Sequence, residues 1–115
     1  MAHNSSFIRT DKSITQAFID LLKEKSFEKI TVQDILEKTP VTRATFYAHY
    51  RDKHEIAERM LEEFFEIRRS VRQELSKSTS SQLPQIVRRH YFNNRELIQA
   101  LLKIHTKTVD LRRTF

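Results

Sequence analysis

Apolar side chains recur at helical spacing along most of the chain, and the first group follows two candidate helix caps, Thr10 and Asp11. Side chains of this kind accept hydrogen bonds from the first free amides of a helix. The apolar residues that follow fall at i, i+3, i+4, i+7 and i+8: Ile14, Ala17, Phe18, Leu21 and Leu22. This spacing predicts a first helix with one apolar face turned toward a core.

A second, shorter helix is predicted between Thr31 and Pro40. Thr31 is a suitable N-cap, and the apolar face after it consists of Val32, Ile35 and Leu36. Because a proline disfavours the helical backbone at the residue before it, we expect Thr39 to lie outside this helix.

A third short helix is predicted after the turn formed by residues 39–41, with Thr42 as its cap. Phe46 and Tyr50 are four residues apart, so both should face the core. A short turn between two such helices is typical of helix-turn-helix motifs, in which the second helix enters the major groove of DNA. The segment Thr42–Tyr50 is therefore the candidate recognition helix.

The second half of the chain predicts three further helices. Asp52 should cap a fourth, with Glu55 as capping-box partner, and its apolar stripe continues to about Leu75. Residues 76–81 contain four serines and indicate a linker. A fifth helix begins near Leu83, and Asn94 could cap a sixth, whose apolar side would be exposed unless a partner covers it.

The composition favours helices and excludes several kinds of site. The 115 residues include no glycine and no cysteine. Hairpin turns and phosphate-binding loops depend on glycine, whereas disulfides and thiolate zinc sites need cysteine. We therefore predict an all-α fold. A three-helix helix-turn-helix DNA-binding domain should cover residues 9–55, and a helical C-terminal region, apparently incomplete, should cover residues 56–115.

The net charge of +6 is weak support for nucleic-acid binding, because most of the excess lies outside the candidate domain. Residues 1–55 hold 9 Lys and Arg against 8 Asp and Glu, while residues 56–115 hold 12 against 7. The local pattern is more informative. From Lys38 to Arg51 there is no acidic residue, which suits a segment that approaches phosphates.

The outward positions of the third helix have the chemistry of base readout. Ala44 and Ala48 are small enough to let the helix approach base edges closely. Arg43 can donate to guanine in bidentate fashion, and Thr45 can hydrogen-bond or touch a thymine methyl group. Tyr47 and His49 can reach phosphate oxygens. Lys53, at the start of the fourth helix, adds a cation beside free backbone amides.

Residues 10–61 resemble the N-terminal domain of TetR-type bacterial transcriptional regulators. The resemblance depends on order and spacing in Phe27–Ile35, Val41–Tyr50 and Asp52–Ile56, above all the Thr-Phe-Tyr-x-His-Tyr run followed by Asp-Lys. The turn differs, because such regulators usually have glycine where this chain has Pro40. Proline should stiffen the turn and end the second helix slightly early.

The resemblance implies a repressor that binds a palindromic operator on double-stranded DNA as a homodimer. It also implies a small-molecule effector at the C-terminal helices, and further helices beyond the two seen here. By the same resemblance, Arg43 helps to set the operator sequence, Thr31 and Lys53 contact phosphate, and the other DNA contacts come from the recognition helix. The complete set of expected DNA contacts is Thr31, Thr42, Arg43, Thr45, Tyr47, His49 and Lys53.

Other functions find less support in the sequence. No nucleophile or paired acid has the setting that catalysis needs, so the chain is not expected to be an enzyme. None of the five histidines forms an i, i+4 pair, so neither a metal site nor a cofactor is predicted. Without a signal peptide or an apolar run of membrane length, a cytoplasmic location is expected. The alternative function is an all-α protein–protein interaction module without sequence-specific DNA binding.

Several side chains of the C-terminal region admit two interpretations. The aromatic pairs at 64–65 and 91–92 could line an effector cavity, but core packing is the favoured assignment. His90 is expected to be a satisfied core histidine rather than a ligand. Arg68, Arg69 and Arg72 could form a second DNA contact, but a solvated face paired with glutamates is favoured.

Overall fold

The computed structural model describes residues 5–104 and Val109, and this part of the chain is built from α-helices with no strand. The all-α prediction is therefore confirmed. Two 3₁₀ turns, Phe27–Lys29 and Ser80–Gln82, lie between helices. The helices are α1 (Ser5–Glu24), α2 (Val32–Lys38), α3 (Arg43–His49), α4 (Lys53–Ser76), α5 (Leu83–Asn93) and α6 (Arg95–Leu102).

Helix α1 begins at Ser5, earlier than the predicted caps Thr10 and Asp11. Asp11 instead lies within the helix, where its carbonyl oxygen accepts the Thr15 hydroxyl at 3.0 Å. The added turns are supported by a tertiary contact, because the Phe7 ring stacks on a side chain of α3. The predicted apolar stripe is buried as expected: Ile14, Ala17, Phe18, Leu21 and Leu22.

The two helices of the predicted motif end and begin where the sequence indicates. Helix α2 ends at Lys38, and Thr39 has the extended backbone (φ −141°, ψ 147°) that the following proline favours. Thr42 caps α3, because its side-chain oxygen accepts the Thr45 amide at 3.1 Å. Phe46 and Tyr50 are 0% and 3% exposed, which confirms that both face the core.

Helix α4 also matches its prediction, with one difference at its cap. Asp52 accepts the Glu55 amide at 3.0 Å, and the helix continues to Ser76. The Glu55 carboxylate, however, accepts the amide of Arg51 instead of closing a capping box with Asp52.

A continuous hydrophobic core joins α1, α2 and α3 to α4 and α6. Helix α4 contributes Ile56 and Met60, and α6 contributes Leu97 and Leu101. The sixth helix packs against α1 and α4, so its apolar face is covered by the chain itself and needs no partner. The division of the chain at residue 55 stays a prediction.

Helix α5 leaves large apolar side chains on the surface. The expectation that the aromatic pairs are core holds for Phe64, but Phe65, Tyr91 and Phe92 are 38%, 50% and 59% exposed. An open groove of about 370 Å³ lies between α4 and α5, with Phe64, Val87 and Tyr91 in its wall. The assignment therefore fails for three of the four, and within α5 the residue that is buried is Ile86.

Some polar residues of the C-terminal region form pairs. His90 is satisfied as expected, with Nε2 2.9 Å from a Glu74 carboxylate oxygen, but its side chain stays 23% exposed. Arg69 pairs with Glu66 at 2.6 Å along the solvated side of α4. No helix in the described part of the chain combines the length and the apolar character that crossing a membrane requires.

Candidate nucleic-acid interface

Helix α3 has one buried side and one open side. Phe46 and Tyr50 anchor it in the core, whereas Arg43, Ala44 and Ala48 are exposed and Tyr47 is 49% exposed. The Phe46 ring lies edge-on to the Tyr47 ring at 5.2 Å between centroids, which fixes the direction of Tyr47. The open side has the dimensions of a single helix and carries small residues at its centre, so it can enter a major groove.

The first turn of α3 is held by two threonines. The Thr42 hydroxyl donates to the Thr45 hydroxyl oxygen at 2.9 Å and accepts the Thr45 amide. Thr45 keeps its own O–H for another acceptor, because only its oxygen is used in this pair. Both predicted contacts therefore lie at the exposed N-terminus of the recognition helix, where free amides favour an anion.

Thr31 occupies the equivalent position at the start of α2, inside a complete capping box. Its hydroxyl accepts the Asp34 amide at 3.0 Å, and the Asp34 carboxylate accepts the Thr31 amide at 3.0 Å. The Thr31 amide, followed by Lys25 at 3.1 Å, holds the pKa of Asp34 below its usual range. The carboxylate is therefore charged at neutral pH and keeps the box closed.

Arg43 does not project freely into solvent. Its Nη2 donates to Gln33 Oε1 at 2.6 Å, which connects the first residue of α3 to the first turn of α2. Gln33 Nε2 in turn donates to the Glu37 carboxylate at 3.4 Å. Neither glutamine nor glutamate was expected at the site, since no local pattern relates residues ten positions apart.

His49 is the one predicted contact that does not face outward. Its side chain is only 7% exposed, its ring stacks on Phe7 at 4.0 Å, and Nδ1 lies 3.1 Å from Asp11 Oδ1. The expectation of an outward or sideways side chain is wrong, because the added turns of α1 cover this position. Arg59 also donates to the His49 carbonyl at 3.1 Å, so the end of α3 is held by α1 and α4 together.

Tyr50 closes α3 from the buried side. Its hydroxyl lies 3.4 Å from the Thr15 hydroxyl, and the Arg59 guanidinium lies over its ring at 4.7 Å. Burial raises the pKa of the Tyr50 phenol to about 12, although the hydrogen bond from Thr15 and the charge of Arg59 act in the opposite direction. Tyr50 is therefore neutral under all ordinary conditions.

Lys53 sits at the start of α4 as predicted, but its ammonium group is engaged by the protein. It donates to the carbonyl oxygens of Phe27, Glu28 and Ile30 at 2.6, 3.2 and 2.9 Å. It also lies over the Phe27 ring at 4.5 Å, and burial lowers its pKa. Since an ammonium has three N–H donors, all three have acceptors within the chain.

The described part of the chain brings no three histidine, aspartate or glutamate side chains together in a way that could hold a metal ion. The predicted site residues that lie at the surface are hydrogen-bond donors: Thr31 before α2, Thr42 before α3, and Arg43 and Tyr47 on α3, with Thr45 half-buried beside them. A short helix presented in this way, joined through a short turn to a preceding helix and fixed by a buried aromatic pair, defines a helix-turn-helix DNA-binding domain.

The comparison with known families identifies this domain. Residues 14–60 match the family model for bacterial regulatory proteins of the tetR family. This segment therefore belongs to the TetR family, which confirms the resemblance seen in the sequence.

Two curated relatives each match about half of the chain. A Bacillus subtilis (strain 168) protein named uncharacterized HTH-type transcriptional regulator YxbF is 41% identical over 56 residues, which cover 48% of this chain and 15% of the relative. The HTH-type dhaKLM operon transcriptional activator DhaS of Lactococcus lactis subsp. lactis (strain IL1403) is 33% identical over 58 residues.

The match to DhaS covers 50% of this chain and 31% of that relative. The chain therefore matches less than a third of the length of either relative. No solved structure matches the chain significantly.

Proposed function

We propose that this chain binds a specific DNA sequence through α3 and regulates transcription from it, as a repressor. The observation that carries the proposal is the exposed face of α3, where Arg43, Ala44 and Tyr47 stand on a helix whose opposite side is fixed in the core. Arg43 and Thr45 would read base edges, and the two alanines would allow close approach.

The remaining predicted residues would position the domain on the DNA backbone. Thr31 and Thr42, each at a helix N-terminus, and Tyr47 would contact phosphate. Lys53 would contact phosphate by exchanging its longest hydrogen bond, the one to Glu28. His49 would act through its packing on α1, since its ring is covered.

The finer features of the proposal concern the whole protein. They are a homodimer on a palindromic operator, a cytoplasmic location, no enzymatic activity, and an effector at the groove between α4 and α5. The groove supports the effector because it combines an apolar wall with Arg68 and Arg72. The competing proposal is that the chain activates transcription, because one relative is named as an activator.

The test is selection of duplex DNA from a random pool at low salt, using the chain alone and the chain fused to a dimerising coiled coil. We expect one enriched motif, appearing as an inverted repeat with the fused chain. If neither protein enriches any motif, sequence-specific binding is excluded and the interaction-module alternative gains support.

Replacing Arg43 with alanine should relax preference at one base pair of the half-site. A bidentate arginine–guanine contact contributes about 1–3 kcal/mol of discrimination. Repeating the selection with Arg43→Ala measures this directly. An unchanged motif would remove Arg43 from base reading.

Replacing Tyr47 with phenylalanine should weaken binding to every sequence by a similar factor, because a phosphate contact carries no sequence information. Fluorescence anisotropy on matched and scrambled duplexes gives both affinities. The two variants control for each other, since a change in preference with Tyr47→Phe would instead indicate base contact.

A further inference from the structure

The contact between Arg43 and Gln33 joins the two helices of the motif at their first turns. Arginine carries only donors, so a defined guanidinium position needs an acceptor. Gln33 Oε1 provides that acceptor at 2.6 Å. This hydrogen bond is the contact that the described part of the chain shows for the Arg43 guanidinium.

Gln33 is itself oriented by a third residue. Its Nε2 donates to Glu37 Oε2 at 3.4 Å, one helical turn further along α2. Since the carboxylate accepts hydrogen bonds only, it directs the amide nitrogen toward α2 and leaves the amide oxygen facing Arg43. Glu37, Gln33 and Arg43 therefore form a directional chain from α2 to the recognition helix.

We propose that Gln33 is a positioning residue for base recognition, which selects the base that Arg43 reads by holding its guanidinium beside α2. The inference rests on the proposed function of α3. One of the five guanidinium N–H groups is used by Gln33, and the others can still form a bidentate contact to guanine. A long side chain fixed before binding also loses less conformational freedom when DNA binds.

The experiment compares the selected motifs of the wild type, Arg43→Ala, Gln33→Ala and the double variant. Gln33→Ala should change preference at the same base pair as Arg43→Ala, lowering discrimination there by about two- to tenfold, the effect of one hydrogen bond. The double variant should equal Arg43→Ala alone, because Gln33 acts through Arg43.

Two controls separate positioning from other effects. Gln33→Glu keeps the acceptor, so the motif should persist while affinity for all sequences falls through the added negative charge. Gln73→Ala removes an exposed glutamine of α4 and should leave both motif and affinity unchanged. Because Gln33 is exposed, its replacement should leave the fold intact, and thermal unfolding of each variant checks this.

Three outcomes overturn the inference while leaving DNA binding intact. They are an unchanged motif in Gln33→Ala, a change at a base pair that Arg43→Ala does not affect, and additive effects in the double variant. A change at a separate base pair would mean that Gln33 contacts DNA directly. If the wild type enriches no motif at all, the proposed function itself fails, which is a distinguishable result.

Discussion

Two tyrosines, Tyr47 in α3 and Tyr50 directly after it, occupy opposite environments. Tyr47 is half exposed on the open side of α3, whereas Tyr50 is buried against α1 and α4. Burial raises the pKa of the Tyr50 phenol to about 12, because it disfavours the phenolate. The helical period of the sequence is sufficient to tell the two apart, since Phe46 and Tyr50 share the apolar face.

Alkaline titration should reveal the buried phenol of Tyr50. The folded-state pKa of Tyr50 lies above the unfolded value of 10.0, so its contribution to stability is complete below about pH 10 and is lost as the pH rises toward about 12. Absorbance of tyrosinate should show a late phase near pH 12 that Tyr50→Phe removes. A wild-type titration without that phase would contradict the buried position.

Lys53 illustrates a role that sequence cannot reveal. The position was expected to contact phosphate, but its ammonium binds three carbonyl oxygens of the connection between α1 and α2. These acceptors come from residues more than twenty positions earlier, and backbone carbonyls leave no signature in a side-chain pattern.

Replacing Lys53 with methionine should therefore destabilise the free protein. Loss of the ammonium removes a donor from the partly buried carbonyls of Phe27 and Ile30, and only the Phe27 oxygen keeps another partner, the Ile30 amide. Leaving a buried acceptor without its donor costs about 1–3 kcal/mol. Urea unfolding of Lys53→Met measures the loss, with Lys29→Met at an exposed position of the same connection as control. Equal stability of the two variants would show that the three hydrogen bonds contribute little.

At the scale of helices, boundaries that depend on local chemistry were predictable and boundaries that depend on tertiary contacts were not. The end of α2 follows from Pro40, and the start of α3 follows from Thr42. The start of α1 at Ser5 does not, because it is stabilised by Phe7 packing on His49 across the fold. The same contact buries His49, the one predicted DNA contact that was wrongly expected to face outward.

The cap of α3 should contribute measurably to stability. Thr42→Ala removes the acceptor for the Thr45 amide and should cost about 0.5–2 kcal/mol in the free energy of unfolding. Thr42→Ser keeps the hydroxyl and should stay close to the wild type. Thermal or urea unfolding compares the two, and equal losses would assign the effect to the methyl group instead of the cap.

At the scale of the whole molecule, Glu74 joins the end of α4 to α5. Its carboxylate pairs with Arg89 at 2.5 Å and His90 at 2.9 Å, and these hydrogen bonds hold its pKa below its usual range. The sequence predicted the two helices, but not this bridge between residues fifteen and sixteen positions apart. The open groove between α4 and α5 could not be predicted from the sequence either. Helical periodicity identifies the apolar face of a helix, but it does not show how much of that face a neighbouring helix covers.

Acid should weaken this bridge. Because the folded-state pKa of Glu74 is depressed, its stabilising contribution is present above the unfolded value of 4.5 and is lost as the pH falls below it. Unfolding by urea between about pH 3 and about pH 6 should show that the difference between wild type and Glu74→Gln disappears at the acid end. Glu66→Gln, which affects a pair within α4, serves as control, and a pH-independent difference would rule out the ionic bridge.

The buried and exposed sides of α3 carry separate tasks, and this separation affects how the sequence of such a domain can change during evolution. Its fold depends on Phe46, Tyr50 and the Thr42 cap, whereas Ala44 and Ala48 stand apart from the core. Substitutions at the two alanines should therefore be tolerated at small thermodynamic cost, since surface changes away from such features usually alter stability little. Under the proposed function, mutation could alter the recognised sequence without passing through unfolded intermediates, so duplicated copies of this scaffold would be free to acquire separate targets.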